Sequence, residues 1–249
     1  MNDFIDPAIA DLLKQQQLDS FDALWDLELE AVDEPNARSD GWSSVAKLAL
    51  GEKVFYLKRQ TNYLTRSLLK PLGEPTFARE MRSIQRYQQL GIPALNAAFF
   101  AQRHIDGQQR AIILMTHALD GWQDLEHWQQ QWPKLSNEQQ RGILQACAKL
   151  AKILHGAGQM HGCFYPKHIF LQPQATGFTA QLIDLEKTRS LLLGRRDRIK
   201  DLEPLFRRSH HVWGREQTQL FLQDYLDQPE HIQHWLERLE ARRKNKEAR

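Results

Sequence analysis

The sequence predicts an α+β protein of bilobal form: a small antiparallel sheet carrying one helix, followed by a larger helical lobe. Two observations carry that reading. Between residues 27 and 117 short alternating apolar runs dominate, broken by a single run of helical spacing at Phe77 to Leu90. From Gly121 onward the apolar residues recur at helical spacing over long stretches. The expected divisions are a helical extension at 1–26, a sheet-rich lobe at 27–117 and a helical lobe at 118–249, with a cleft near residues 116–122.

Two short helices open the chain, at about Pro7 to Gln16 and Phe21 to Trp25, before the alternating run LELEAV, Leu27 to Val32, which predicts a strand. The segment DEPNARSDGWSS is rich in turn formers, so a loop should follow. Val45 to Leu50 and Val54 to Lys58 read as strands, and Gly51-Glu52 between them is short enough to close a hairpin. Pro71, Gly73 and Pro75 mark a linker, after which the helix from Phe77 to Leu90 is ended by Gly91 and Pro93. Strand character resumes at Leu95 to Gln102 and Ala111 to Met115, with a turn at Ile105 to Gln109. Farther on, Ser136 and Gln139 form an S-x-x-Q capping box, and Ile143, Cys147, Leu150 and Leu154 share one face of the helix it starts. Gly156 and Gly158 stop that helix, and a polar, aromatic loop from His161 to His168 precedes two apolar runs, Ile169 to Leu171 and Gln181 to Ile183. Helices return at about Lys200 to Arg207, Arg215 to Tyr225 and Glu230 to Arg243.

Composition narrows the function classes. Hydrophobic residues at 41% and charged residues at 26% are the balance of a globular chain, neither disordered nor membrane-spanning. No run approaches the roughly 18 to 20 apolar residues that cross a bilayer, and the opening MNDFIDPAIADLL is acidic where a secretory signal is basic, so the expected location is the cytoplasm. Cys147 and Cys163 alone suggest neither a disulfide framework nor a four-ligand zinc site. A net charge of +2 exerts no general pull on polyanions, and no nucleic-acid partner is expected. The charge is uneven, however: residues 1–36 hold ten acids against Lys14 alone, whereas residues 238–249 hold six bases against two acids. The basic stretch reads first as a solvated helix end and second as a contact for anionic lipid or nucleic acid.

The chemistry rests on four signals in one order: V-F-Y-L-K ending at Lys58, Glu80 in the next helix, H-G-C-F-Y-P-K-H at 161–168, and I-D-L-E at 183–186. Each alone is weak, since a surface lysine and an unrelated helix glutamate occur in most proteins. Their joint order, with a sheet before and helices after, resembles the protein-kinase-like fold. There a strand lysine paired with a helix glutamate holds nucleotide phosphates, the loop H-R-D-x-x-x-x-N places acceptor and metal, and D-F-G supplies a magnesium ligand. More narrowly, the chain resembles the lipopolysaccharide kinases, the Kdo/WaaP and InaA-like bacterial proteins. That group replaces the loop's final Asn with His, carries Tyr two positions after the loop's Asp, and follows the metal Asp with Leu; Tyr165, His168 and Leu185 match, over about residues 25–225.

The resemblance implies ATP and Mg2+ as cofactors and a sugar of the lipopolysaccharide core as acceptor, in the cytoplasm or peripherally at the inner membrane. Lys58 would offset phosphate charge while Glu80 holds it through a charge-assisted hydrogen bond. Asp184 would ligate magnesium; His168 would be the second metal-side group, although imidazole suits magnesium poorly and the ring is as readily a phosphate contact or a structural histidine. Gly41, Ser43 and Ser44, in the segment Asn36 to Val45, stand where a phosphate loop is expected, and Met115 to Ala118 where a hinge receives adenine. His161 and Cys163 belong to the catalytic loop, and Asp201 would support that loop by accepting its backbone hydrogen bonds.

One position breaks the pattern, because Cys163 stands where the family has its catalytic Asp. A thiol of ordinary pKa near 8.5 is mostly neutral at pH 7 and accepts hydrogen bonds weakly. Three readings compete: a pseudokinase that binds nucleotide without transferring phosphate; an enzyme in which a neighbour such as Glu186 takes over part of the role; or a thiolate sensor whose pKa His161 and Lys167 lower. Cys147, on an apolar helical stripe, reads as core. Trp122, Trp128 and Trp132 read as helix packing, with a sugar-stacking surface as the alternative.

Overall fold

The computed structural model describes residues 2–32, 34, 36–38, 41–62, 64–67, 70–105 and 109–248. The chain divides into two compact units, Met1–Arg86 with Leu95–Asp120, and Tyr87–Ala94 with Gly121–Arg249. Its fold is α+β and protein-kinase-like, with an antiparallel sheet in the N-terminal part and a helical C-terminal part.

The first unit contains β1 (Phe4–Ile5), α1 (Ala10–Gln15), α2 (Phe21–Trp25), β2 (Asn36–Arg38), β3 (Gly41–Leu50), β4 (Lys53–Thr61), β5 (Leu64–Ser67), β6 (Lys70–Pro75), most of α3 (Thr76–Leu90), β7 (Ala97–Ile105) and β8 (Gln109–His117). Six strands form one sheet in the order β1-β7-β8-β4-β3-β2. Alternation along β4 decides its two faces. Phe55 and Leu57 point into a core shared with Ile9, Leu13, Phe21 and Leu24 of the N-terminal helical segments, so residues 1–26 are packed on the sheet. Lys58 and Gln60 point to the opposite face, where α3 lies.

Three local expectations require correction. The run Leu27 to Val32 is not a regular strand: Ala31 makes a single bridge to Ala46, and the Val32 amide donates to the Val45 carbonyl at 2.8 Å. Arg59 contributes to the difference, because its guanidinium captures the Leu27 carbonyl at 2.8 Å together with that of Trp25, just before the run, at 2.7 Å. The expected loop at DEPNARSDGWSS is largely strand, with Arg38 opposite Gly41 and Asn36 opposite Ser43; residues 39–40 lie outside the described residues. The expected linker at Pro71 to Pro75 is β6, paired with β5 through Thr65 and Glu74. The centre of the expected turn, 106–108, also lies outside the described residues.

The second unit holds β9 (Gln123–Asp124), α4 (Leu125–Gln130), α5 (Asn137–Gly156), β10 (Gln159–Met160), β11 (Ile169–Pro173), β12 (Phe178–Leu182), β13 (Arg189–Ser190), α6 (Arg195–Ser209), α7 (Arg215–Tyr225) and α8 (Ile232–Glu247), together with the last turn of α3. Ser136 and Gln139 close their capping box in both directions, at 3.2 and 2.9 Å. Ile143, Cys147, Leu150 and Leu154 of α5 are buried as the stripe predicts. Trp128 meets Phe178 edge to face at 5.1 Å and Trp132 lies 5.8 Å from Trp213, so both serve packing. Among the described residues no helix is long and apolar enough to cross a membrane.

Candidate active site

In the first unit a strand and a helix are fastened by two rungs. The Gln60 side-chain oxygen accepts the Phe77 amide at 3.0 Å, one of the donors left open in the first turn of α3. Two residues back on the same face of β4, the Lys58 ammonium donates to both oxygens of Glu80, at 2.7 and 2.9 Å. The spacing explains the match: two strand residues advance about 6.7 Å and three helix residues about 4.5 Å, so adjacent same-face positions meet successive helical turns. Glu80 is only 2% exposed and Lys58 lies 5.7 Å from the Phe77 ring centroid. A buried carboxylate is thus neutralised by an ammonium that still reaches solvent.

Gly41, Ser43 and Ser44 lie at the start of β3, with Ser43 opposite Gln60 and Ser44 opposite Arg59. The Ser44 side chain is buried and Ser43 partly so, which places them in a ladder where a loop was expected. Met115 belongs to the sheet core, fully buried between Leu57 and Phe99. Beyond it, the His117 and Ala118 amides are already engaged with the Asn96 and Val54 carbonyls, so those donors of the expected hinge are spent on the fold.

In the second unit the loop 161–168 hangs from one carboxylate. Asp201, 1% exposed on α6, accepts the His161 and Gly162 amides at 2.7 Å each, and His155 approaches its Oδ2 at 3.1 Å. This is the supporting role expected of Asp201. Gly162 has φ +80°, and a Cβ there would stand 2.6 Å from the Lys187 carbonyl oxygen, so only glycine fits. His161 is fully buried: Nε2 faces the Ile183 carbonyl at 2.9 Å and Nδ1 accepts the Cys163 amide at 3.3 Å. A ring whose two nitrogens both face backbone partners has neither free for proton transfer.

The antiparallel register Ile169 to Leu182 sets His168 and Asp184 at the same end of the β11–β12 hairpin. His168 Nε2 lies 3.2 Å from Asp184 Oδ2, and its Nδ1 lies 3.0 Å from the Cys163 carbonyl. Burial pushes the His168 pKa down to about 4, against the pull of Asp184. A neutral ring has one N–H for two oxygen acceptors, so one nitrogen lone pair is left facing an oxygen. A divalent cation taking Nε2 and Oδ2 together removes that conflict, and a ring oriented by a backbone carbonyl is the usual arrangement of a metal-side histidine. Asp184 itself has φ 59° and ψ 63°, a left-handed conformation that costs a non-glycine residue on the order of 1 kcal/mol and recurs at functional positions.

Cys163 is 4% exposed, and burial pushes its thiol up, although the nearby Lys187 ammonium pulls the other way. The thiolate-sensor reading is therefore overturned: His161 is engaged on both sides, and desolvation outweighs the cation. Glu186 lies 3.7 Å from Lys187. Sequence reasoning missed Gln60, Lys187 and Arg208, whose guanidinium lies 4.0 Å over the Tyr165 ring. Lys187 was legible only as the residue after I-D-L-E; Gln60 carries the better signal, sitting two positions after Lys58 on the same strand face.

Comparisons with known proteins bear on the family and the fold. The lipopolysaccharide kinase (Kdo/WaaP) family matches residues 22–225. Protein InaA of Escherichia coli (strain K12) is 33% identical over 182 residues, covering 72% of this chain and 82% of its own. The lipopolysaccharide core heptose(I) kinase WaaP of Pseudomonas aeruginosa is 26% identical over 204 residues, covering 77% of this chain and 68% of its own. A solved structure of WaaP in complex with acyl carrier protein superposes with a TM-score of 0.73 at 20% identity, over 98% of this chain and 99% of that one.

Proposed function

Because the chain belongs to the lipopolysaccharide kinase (Kdo/WaaP) family, we propose that it is an ATP- and magnesium-dependent kinase acting on a sugar hydroxyl of the lipopolysaccharide inner core, at the cytoplasmic side of the inner membrane. The acceptor class follows the name of the Pseudomonas aeruginosa relative. The observation that carries the reading is the Lys58 to Glu80 pair at 2.7 Å, an ammonium held ready for phosphate by a buried carboxylate. Asp184 and His168 would hold the metal. Bound there, magnesium would neutralise phosphate charge. Cys163 would sit in the loop that places the acceptor, fixed through its own backbone by His161, His168 and Tyr165. His161 and Asp201 act as positioning residues. A buried neutral thiol is a poor proton acceptor, and losing a general base typically costs about 10² to 10⁴ in rate. Positioning and charge neutralisation supply most of phosphoryl-transfer catalysis, so turnover survives at a low level.

The same thiol favours a second reading, a nucleotide-binding pseudokinase acting as a scaffold or stress-responsive partner. Two measurements separate the possibilities. Saturating Mg-ATP should raise the melting temperature, because a ligand at about 100 times its Kd adds roughly 2.7 kcal/mol of stability; no rise would remove both readings. Phosphate transfer to purified core oligosaccharide should be measurable in the wild type and rise in Cys163→Asp. Turnover confined to the variant would establish the scaffold.

A further inference from the structure

Leu192 and Leu193 are the most exposed large apolar side chains among the described residues, at 79% and 57%. Single exposed leucines are ordinary on protein surfaces. These two are adjacent, and the backbone that presents them is held in place. The Leu192 and Leu193 amides both donate to Asp197 Oδ2, at 2.9 and 3.0 Å, and the Leu193 carbonyl accepts the Arg196 amide at 3.1 Å. Asp197 is only 4% exposed, so a buried carboxylate is committed to fixing a turn whose side chains face water. The Leu191 amide, bonded to the Gly158 carbonyl at 2.9 Å, secures the turn from the other side.

Directly after the turn, α6 opens with Arg195 and Arg196, both exposed. Arg196 and Ile199 line a groove of about 370 Å³ whose other wall is α8, contributing Arg238, Arg242, Asn245 and Lys246. Arg238, Arg242 and Lys246 follow one another at four-residue intervals and so form a single stripe. No acidic side chain lines the groove, and among the described residues none of these four cations forms an ion pair. Arg242 Nε is buried without a hydrogen-bond partner. Four cations converging without counter-charge repel one another, an arrangement that an anionic surface relieves.

We propose that the Leu192-Leu193 turn and the arginine groove between α6 and α8 form a docking surface for a bilayer of anionic phospholipid. The two leucines enter the boundary between headgroups and acyl chains while the arginine stripe meets the headgroup phosphates. Nucleic acid would satisfy the cations and leave the leucines in water. An acidic protein would satisfy them only if it also offered an apolar pocket. The surface is independent of the nucleotide-binding residues, so it stands or falls apart from the kinase reading.

Flotation of the full-length protein with vesicles tests it. The protein should float with vesicles of phosphatidylcholine containing phosphatidylglycerol, remain free with phosphatidylcholine alone, and be released by high salt. Each cation near an anionic surface is worth about fivefold in partition, so Arg196→Glu with Arg238→Glu should weaken binding more than about tenfold. Leu192→Ser with Leu193→Ser should weaken it about tenfold, with melting temperatures unchanged because these side chains are exposed. Since Cys147 and Cys163 are buried, a polarity-sensitive dye on Leu192→Cys labels the turn selectively, and its emission should shift to the blue on anionic vesicles. Equal binding to both vesicle types, no flotation, indifference to the charge reversals, or an unshifted dye would each overturn the proposal. Binding of soluble polyglutamate in place of vesicles would assign the surface to an acidic protein and overturn it equally.

Discussion

The strand-helix pair of the first unit and the loop of the second unit solve the same problem by different means. Lys58 and Glu80 are held by side chains: an ion pair backed by the Gln60 rung, with the lysine still in touch with solvent. The loop 161–168 is held by its backbone, through Asp201 to two amides and through the Cys163 carbonyl to His168 and Tyr165. None of those backbone bonds uses the Cys163 side chain. A loop whose shape depends on its main chain keeps that shape when one side chain loses its carboxylate, whereas a pair defined by side-chain charge does not survive replacement of either member.

That contrast can be broken at its strongest point first. Asp201→Ala leaves the buried His161 amide, the part-buried Gly162 amide and His155 without their acceptor, and should cost about 3 to 5 kcal/mol in denaturant unfolding. Asp201→Asn, which keeps one acceptor oxygen, should cost less. In the first unit, Lys58→Met should weaken Mg-ATP binding about 10- to 100-fold in thermal titration, since the phosphate-facing charge is lost, while Cys163→Ala should leave that affinity within about twofold. Equal losses in the two variants would erase the distinction.

A pH titration sharpens the comparison within the loop. The His168 pKa is about 4 in the folded chain and near 6.5 unfolded, so between those values the unfolded state binds more protons. Stability of the metal-free protein should therefore be complete above pH 6.5 and fall as the pH drops toward 4, with a slope of at most about 1.4 kcal/mol per pH unit from this group. His168→Asn should flatten that slope. Removing the opposing pull with Asp184→Asn should move the ring's pKa lower still, readable by proton NMR. Smaller again, Gln60→Leu removes one helix-terminal acceptor and should cost about 1 kcal/mol, with a modest loss of nucleotide affinity as Glu80 loosens. Smallest, Cys163 should react slowly with iodoacetamide at pH 7.5 in the folded protein and rapidly once unfolded. Rapid labelling of the native chain would restore the thiolate reading.

The long elements were legible because their signals are local. The capping box at Ser136, the stripe from Ile143 to Leu154, and the hairpin at Gly51-Glu52 each need only neighbouring residues to declare themselves. The misreadings share a cause in hydrogen-bond partners that lie outside the misread segment. LELEAV alternates like a strand, yet Arg59, from the far side of a hairpin, takes the Leu27 carbonyl at its start. Pro71 to Pro75 looks like a linker until Leu64 to Ser67 is available to pair with it. Within the first unit the Lys58 to Glu80 pairing was anticipated from the sequence; within the second, the places of Lys187 and Arg208 were not, because nothing in their flanks announces what lies beside them.

By itself the amino-acid order determined which residue types were available and in what succession: the lysine, the helix glutamate, the H-G-C loop, the aspartate directly after an apolar run. Only the tertiary structure decided their state. It engaged both nitrogens of His161, pushed the Cys163 thiol up, lowered the His168 ring toward about 4, and committed Asp197 to holding two leucines in water. Protonation and exposure follow from desolvation and from partners distant in sequence, and those exist only once the chain has folded.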